Sequence, residues 1–429
     1  MRNSLIFLEF NEVSFTFVRS YIKKGFLKNF KKIIKKYGLQ NTHSEKEFSH
    51  LEPWIQWVTV HTGKDFDEHK IFRLGDAKNQ SENIWNVLNK KNINSFLLSP
   101  MNAVNPENVN SVFIPDPWTS SSPTKNFFYN SFHRTVSSMV NDNSKNNYKI
   151  FDLMSFFICF LRFARFKNYF KYFKFVTKSL KQKWYQALFL DLLLADIFFV
   201  SYNKKKYPYG SVFLNAAAHI QHHYFFSSKV YSGNNFNPDW YCSKESDPVL
   251  EVYELYDLIL GDILKTYRNS RIILATGLSQ VPVEKPTYYW RLEDHENFLK
   301  EIGISFLNVE KRMSRDFLIN FSNSSDLQNA ETILANITID DKQVFEVDSR
   351  SESIFVTLSF PDLIDEKTEI KLFNNLSKIK FFKCIVLVAL KNGQHNERGF
   401  YIDSDNSIKD KQEIHIKQIY KNIISNFEG

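Results

Sequence analysis

A chain of 429 residues and 50.7 kDa is too long for a disulfide-stapled mini-protein, a peptide hormone or a single small binding module. Its length predicts two or three domains, or one large α/β body with insertions. With 43% hydrophobic and 24% charged residues and only 12 Gly and 12 Pro, the composition is that of a folded globular protein and excludes disordered and collagen-like chains. The net charge of +8 favours anionic partners. No zinc-finger or aromatic RNA-binding signature accompanies it, so nucleic acid is not an expected partner.

The segment LIFLEF (5–10) reads as the first strand of a parallel sheet, because both of its faces are apolar. Residues 14–37 carry a helical period with Lys23, Lys24, Lys28, Lys31, Lys32, Lys35 and Lys36 on what reads as a solvated face. An apolar segment, EPWIQWVTVHT (52–62), ends at Thr62-Gly63. Ser81 before IWNVL suggests an N-capped helix, INSFLLSP a second strand, and 101–148, rich in Asn, Ser and Pro, a loop excursion. Residues 183–203 read as a long buried helix, 209–217 as a strand, 250–267 as an amphipathic helix and RIILAT (271–276) as a strand. Beyond these, helices are expected over 291–302 and near 326–337, strands near 352–359, a final core strand at CIVLVAL (384–390) and a helical C-terminus. His295 reads as a surface residue on its helix. EKRMSRDF (310–317), with Arg312, Arg315 and Asp316, reads as a brace of its subdomain. Alternating strands and helices predict an α/β protein with a mainly parallel central sheet flanked by helices. The expected division is a core of 1–280 plus 384–429, with a helical basic and aromatic insertion at about 150–182, and a small α+β cap or subdomain at 285–380.

The aromatic content, 42 Phe, 20 Tyr and 7 Trp, is densest in that insertion. FDLMSFFICFLRFARFKNYFKYFKFVTKSLK (151–181) interleaves Phe and Tyr with Lys and Arg. Its longest uncharged run, Leu153 to Leu161, falls far short of the ~20 apolar residues that a transmembrane helix needs. It reads either as a helical hairpin packed on the body or as a basic amphipathic element on an anionic membrane surface. Cys159, Cys242 and Cys384 are dispersed, which supports neither a disulfide framework nor a cysteine metal site. The N-terminus lacks the pattern of a cleaved leader. The expected location is cytoplasmic, with a membrane-peripheral contact through the insertion as the open alternative.

In open α/β sheets, ligands bind at the carboxyl ends of strands. The residues delivered there are Glu9, Asn11 and Glu12 after the first strand, and His61, Thr62, Lys64, His69, Arg73 and Asp76 in and after the Pro-Trp segment. After 217 come His219, Gln221, His222 and His223, after RIILAT Thr276, Gly277, Ser279 and Gln280, and after CIVLVAL Lys391, Asn392, Gln394 and His395. On a helix His219 shares a face with His222 or His223, as base and orienter can. Lys64 and Arg73 could grip a phosphate or carboxylate. Trp54 and Trp57 usually mean core, and beside a pocket a ring could stack on a base or sugar.

The order of these pieces resembles the alkaline phosphatase superfamily, in particular its type I phosphodiesterase and nucleotide pyrophosphatase branch. LEFNEV stands where the family has a strand ending in Asp-Gly. PWIQWVTVHTG with EHKIF is similar to its Pro/Trp segment ending Thr-Gly with a nearby His-Gly-Ile. AHIQH is similar to its Asp-x-x-x-His, and HNERG (395–399) to its late His-x-x-x-Gly. The resemblance spans roughly 4–280 and 384–402. It implies a pair of divalent metals and a Thr, Ser or Cys nucleophile. Here Asn11, Ala218 and Thr276-Gly277 stand at ligand positions, and Glu52-Pro53 at the nucleophile position. Of the ligand set only His222 and His395 remain, and two imidazoles without a carboxylate suit a metal pair poorly.

The residues therefore predict a pocket in which His222, His395, Glu52 and Glu9 carry acid–base chemistry, with Asn11, Glu12, Thr62, Lys64, Arg73, His219, His223 and Trp57 binding substrate. No cofactor is expected to be required, and a metal, if held, would sit on His222 and His395. The first reading is a metal-independent transferase, glycosyl or phosphoryl-linked, that uses a nucleotide-activated donor in bacterial surface-polysaccharide assembly. Its substrate would be a phosphate-bearing small molecule or a lipid-linked glycan. Open beside it are a metal-dependent phosphodiesterase or phosphatase, and a non-catalytic binding protein on the same fold.

Overall fold

The computed structural model describes residues 4–45, 47–76, 82–108, 110–119, 121–141, 150–205, 207–311, 315–371, 380–405 and 413–428. The chain forms two compact units. The first holds the residues up to Val140, those from 150 to Pro282 and those from Gly393 onward; the second holds Val283–Asn392.

The first unit begins with β1 (Leu5–Phe10), α1 (Phe15–Lys23), α2 (Lys28–Tyr37), β2 (Gln40–His43), α3 (Pro53–Thr62) and α4 (Phe66–His69). It continues with α5 (Ile84–Lys90), β3 (Ser95–Leu98), β4 (Val112–Ile114), α6 (Phe127–Asn141), α7 (Ile150–Phe163) and α8 (Tyr169–Ser179). Then follow α9 (Trp184–Lys205), β5 (Tyr209–Leu214), α10 (Ala216–Tyr224), α11 (Pro248–Thr266) and β6 (Arg271–Ala275). The chain leaves this unit along β7 (Ser279–Leu292). The second unit contains α12 (His295–Glu301), β8 (Asn308–Lys311), β9 (Asp316–Asn320), α13 (Ser324–Ala335), β10 (Thr338–Ile339), β11 (Lys342–Gln343), β12 (Phe345–Arg350) and β13 (Ser353–Leu358). The return path is β14 (Ile385–Asn396), which pairs with β7 as a two-stranded ribbon. The chain ends with β15 (Arg398–Asp403), β16 (Ile414–His415) and α14 (Gln418–Ile424).

The central sheet has the order β16-β2-β15-β6-β1-β5-β3-β4. β1 lies between β5 and β6, parallel to both. β15 runs against β6 and β2, and every other strand points the same way. All six residues of β1 are buried, because helices cover both faces, as a parallel sheet requires. Alternation sends Ile6, Leu8 and Phe10 into one layer and Leu5 and Phe7 into the other. The larger layer takes in residues of α1, α2, α9, α10 and α11, the smaller one residues of α3, α5 and α14. The seven lysines of α1, α2 and their turn are exposed, so that face is solvated.

Several expectations are corrected here. The Pro-Trp segment is a helix, with Pro53 in its first turn where no backbone donor is lost. The stretch 101–148 contains β4 and α6, whose apolar residues enter the core despite the polar composition around them. CIVLVAL lies in the two-stranded ribbon, and β15 is the strand that completes the central sheet. Helix α12 starts at His295, because 291–292 still belong to β7. The Ser81 cap falls outside the described residues, and Asn83 caps α5 by accepting from the Asn86 amide.

The second unit is an antiparallel sheet, β12-β13-β9-β8, around a core of its own that includes Trp290, Phe317, Phe345 and Phe381. His295 is buried there against Phe317 rather than on the surface. Arg315 stacks on the Tyr289 ring and Asp316 accepts from Thr357, so both serve within this unit, while Arg312 lies outside the described residues. One described helix, α9, is long and apolar enough to cross a membrane, but 72% of its most apolar window is buried within the protein.

Candidate functional site

The carboxyl end of β1 opens the site. Asn11 and Glu12 form the turn that leaves the strand, and Glu12 has a left-handed backbone with φ of 59°. That conformation is strained for a residue with a Cβ and persists only where the surroundings hold it. Here the Glu12 amide donates to the Thr276 carbonyl (3.1 Å) beyond β6, and Gln221 Nε2 of α10 donates to the Glu12 carbonyl (2.7 Å).

The Glu12 side chain is buried, with 2% exposure, yet it is fully engaged. Oε1 accepts from Asn11 Nδ2 (3.0 Å) and Oε2 accepts from Gln280 Nε2. Oε2 also lies 3.4 Å from His222 Nε2 and 3.3 Å from His395 Nε2. Burial by itself would raise this carboxyl. The nearby charges of His395 and His222 outweigh that and hold it well below the usual carboxylate range.

His222 comes from α10, which starts directly after β5, and its Nδ1 lies 3.2 Å from the Gly393 carbonyl. A carbonyl only accepts, so Nδ1 carries the proton and Nε2 is the nitrogen that faces Glu12. His395 comes from β14. Its ring centroid is 5.0 Å from that of His222, and its Nδ1 lies 3.7 Å from Glu52 Oε2. Glu52 precedes α3 and is half-buried.

The donor atoms of Glu12, His222 and His395 all lie within 4.8 Å of one another, an arrangement that could hold a metal ion. Two donors on a tetrahedral zinc stand about 3.3 Å apart, given Zn–N and Zn–O bonds of about 2.0–2.1 Å. The two Glu12–imidazole separations match that edge and exceed the ~2.8 Å of a direct charge-assisted hydrogen bond. The expectation of two imidazoles without a carboxylate is thereby corrected, since Glu12 supplies the carboxylate. Asn11 occupies the position matched by motif, and its side chain points to Glu12 and Asn215.

The other expected residues divide clearly. Glu9 turns to the opposite sheet face, where its Oε2 lies 2.7 Å from His61 Nε2 in a fully buried pair, away from solvent. Trp57 is completely buried and donates from Nε1 to Asn11 Oδ1 (2.7 Å). It orients Asn11 and has no face left for stacking. Thr62 bonds back to the Val58 carbonyl of its own helix, and Lys64 lies beyond that helix's C-terminus. About 15 Å of helix separates them from Glu52. The Arg73 carbonyl shares Asn102 Nδ2 with the Trp54 carbonyl, so its backbone borders the first turn of α3, and its exposed guanidinium enters no ion pair among the described residues. His219 is exposed, its ring 5.1 Å from that of His223, which in turn is 6.2 Å from His222.

Gln280 and Gln221 are among the residues expected at the strand ends but carry no assigned role there, and the Gly393 carbonyl is not among them. The available signal was their position just beyond strands and beside the histidines. Gly393 also has a steric role, since a Cβ there would come within 2.5 Å of Gln280 Oε1. At Gly277, with φ of 69°, a Cβ would meet the Trp57 ring at 3.0 Å.

No family model and no curated protein sequence matches the chain. Among solved structures it is similar to phosphonoacetate hydrolase from Sinorhizobium meliloti 1021, with 9% identity, 99% of this chain and 95% of that chain covered, and a TM-score of 0.44. It is also similar to murine ectonucleotide pyrophosphatase/phosphodiesterase 5, with 10% identity, 99% and 95% covered, and a TM-score of 0.41. A mutant of the alkaline phosphatase PafA gives 11% identity, 99% and 96% covered, and a TM-score of 0.46. At these scores the likenesses carry no functional argument. The structural neighbours are alkaline phosphatase superfamily members.

Proposed function

We propose that this protein is a metal-dependent phosphoester hydrolase. Glu12, His222 and His395 would hold one divalent cation, and Glu52 would act as general base. The observation that carries the reading is the convergence of one carboxylate and two imidazole nitrogens within 4.8 Å, with both imidazoles at tetrahedral-edge spacing from the Glu12 oxygen. The Gly393 carbonyl turns the correct nitrogen of His222 inward, a role that outer partners of metal-binding histidines commonly play. A divalent cation bound there would polarise a phosphoryl oxygen.

The rest of the chemistry falls to the chain itself. There is no hydroxyl or thiol at Glu52-Pro53, so the reading is direct attack by water rather than a covalent intermediate. Glu52 would take a proton from the water whose oxygen bonds to phosphorus, while the P–O bond to the leaving alcohol breaks and that alcohol recovers a proton. Gln280 and Asn11 keep the Glu12 carboxylate fixed. The phosphoester class rests on the order of motifs along the chain and on the net charge of +8.

The test is turnover of nitrophenyl phosphate mono- and diesters by protein dialysed against zinc or manganese. Turnover that is lost on chelation and restored by metal supports the reading. No turnover with either metal would overturn it. So would metal-free binding of a nucleotide sugar with transfer to an acceptor hydroxyl, which would favour the transferase.

A further inference from the structure

Helices α7 and α8 form a hairpin whose inner side belongs to the core and whose outer side is apolar as well. Cys159, Phe163, Tyr172 and Phe175 point inward and are buried. Phe157 and Leu161 on α7, and Phe166, Phe170, Phe173 and Leu180 along α8 and its ends, point outward. Phe166, Phe170 and Leu180 are 86%, 80% and 85% exposed. The steps of four, three and seven residues from Phe166 to Leu180 put them on one helix face. A helix with apolar residues on both sides leaves one side without a partner, and a contiguous exposed patch of that kind marks an interaction surface.

The patch is rigidly presented. At the turn of the hairpin, Arg165 pairs with Asp196 of α9 (2.6 Å) and Asp262 of α11 (3.1 Å). Asn168 Nδ2 (2.8 Å) and Tyr172 OH (2.9 Å) also donate to Asp196. Between Arg162 and Lys183 the chain carries eight Lys or Arg and no Asp or Glu. Three of the eight are committed, Arg165 and Lys167 to Asp196 and Asp262, and Lys178 to Glu251. The others leave a strongly positive rim around the aromatic stripe.

We propose that this hairpin seats its aromatic edge in the interface of an anionic phospholipid bilayer, with the rim of lysines on the headgroups. The mixture of large apolar side chains and cations without acids is the chemistry of interfacial helices. A second copy of the chain is a poorer occupant, because two such faces would bring like charges together. Helix α7, with 14 residues, spans about 21 Å, less than the ~30 Å hydrocarbon core, so the hairpin lies on the membrane and does not cross it.

The test is flotation of the full-length protein with vesicles of phosphatidylcholine alone or with 30 mol% phosphatidylglycerol. The triple variant Phe166→Ser, Phe170→Ser, Phe173→Ser serves as the comparison. These positions are exposed, so an unchanged thermal midpoint verifies folding, and Phe170→Ser alone serves if the triple variant does not fold. We expect binding to anionic vesicles, at least tenfold weaker binding to neutral ones, and at least a tenfold loss in the triple variant. Failure of the wild-type protein to float, equal binding to neutral vesicles, or full binding by the folded variant would overturn the proposal. A wild-type dimer that the variant abolishes, with no vesicle binding by either, would overturn it in favour of self-association.

Discussion

His222 Nδ1 lies 3.2 Å from the carbonyl oxygen of Gly393, and this contact decides which imidazole nitrogen faces Glu12. A glycine on one strand therefore sets the tautomer of a histidine on a helix 171 residues earlier in the chain. A Cβ at 393 would come within 2.5 Å of Gln280 Oε1 and 2.9 Å of the Gln221 carbonyl. Both glutamines hold Glu12, so Gly393→Ala is expected to disturb the carboxylate and the imidazole together. The expected outcome is a 10- to 100-fold loss of metal affinity, the usual effect of losing an outer partner of a metal-binding histidine. A cost of about 1–3 kcal/mol in denaturant stability is expected from overpacking. Equal metal affinity in the variant would refute the orienting role.

Glu52→Gln separates chemistry from metal binding. The side chain is half-buried and makes no capping bond to α3, so the variant should fold with an unchanged midpoint. If Glu52 is the general base, kcat falls about 100-fold or more while metal content stays at the wild-type level. Undiminished kcat would remove Glu52 from the mechanism.

Trp57→Phe tests the support beneath the site. The indole N–H to Asn11 Oδ1 is fully buried, and its loss leaves that oxygen without its donor. We expect about 1–3 kcal/mol lower stability by urea denaturation. Because Trp57 has no exposed face, substrate KM should change less than twofold. A large KM effect with unchanged stability would restore the stacking role.

Asp191 links stability to pH. It accepts from the Ala216 amide at the start of α10 (2.8 Å) and from Tyr256 OH (2.6 Å), and burial pushes its carboxyl up to about 6. A folded-state value above the unfolded one means that the native protein binds this proton more tightly. The group's contribution is therefore fully present below about pH 4 and is lost as pH rises to about 6, a swing of about 3 kcal/mol. The thermal midpoint of the wild type should fall relative to that of Asp191→Asn as pH rises through that window, and the two should run parallel above it. Parallel curves from pH 4 to 6 would contradict the assignment.

Much of this was legible in the chain. LIFLEF, the RIILAT strand and the AHIQHH cluster carry short-range signals, either continuous apolar runs or histidines just beyond a strand, and each maps onto one element. Glu12 was harder to read, because its role depends on a left-handed turn and on contacts with residues 210 to 383 positions away. Motif spacing favoured Asn11, one residue earlier, and a shift of one position across such a turn exchanges the side chains that face the pocket. Glu9 and Trp57 were misplaced for a related reason. Sequence proximity to a strand end does not say which sheet face a side chain takes, and alternation sends Glu9 to His61. The PWIQW segment shows no clear period because it is buried nearly all round, so helix and strand cannot be told apart by pattern there.

The most direct test of the central claim is the metal content of the wild-type protein and of Glu12→Gln, measured by elemental analysis after zinc loading and exhaustive dialysis. The account predicts about one equivalent of zinc per chain in the wild type and at least a tenfold weaker hold in the variant. No retained metal in the folded wild type, or equal retention in the two proteins, would contradict it.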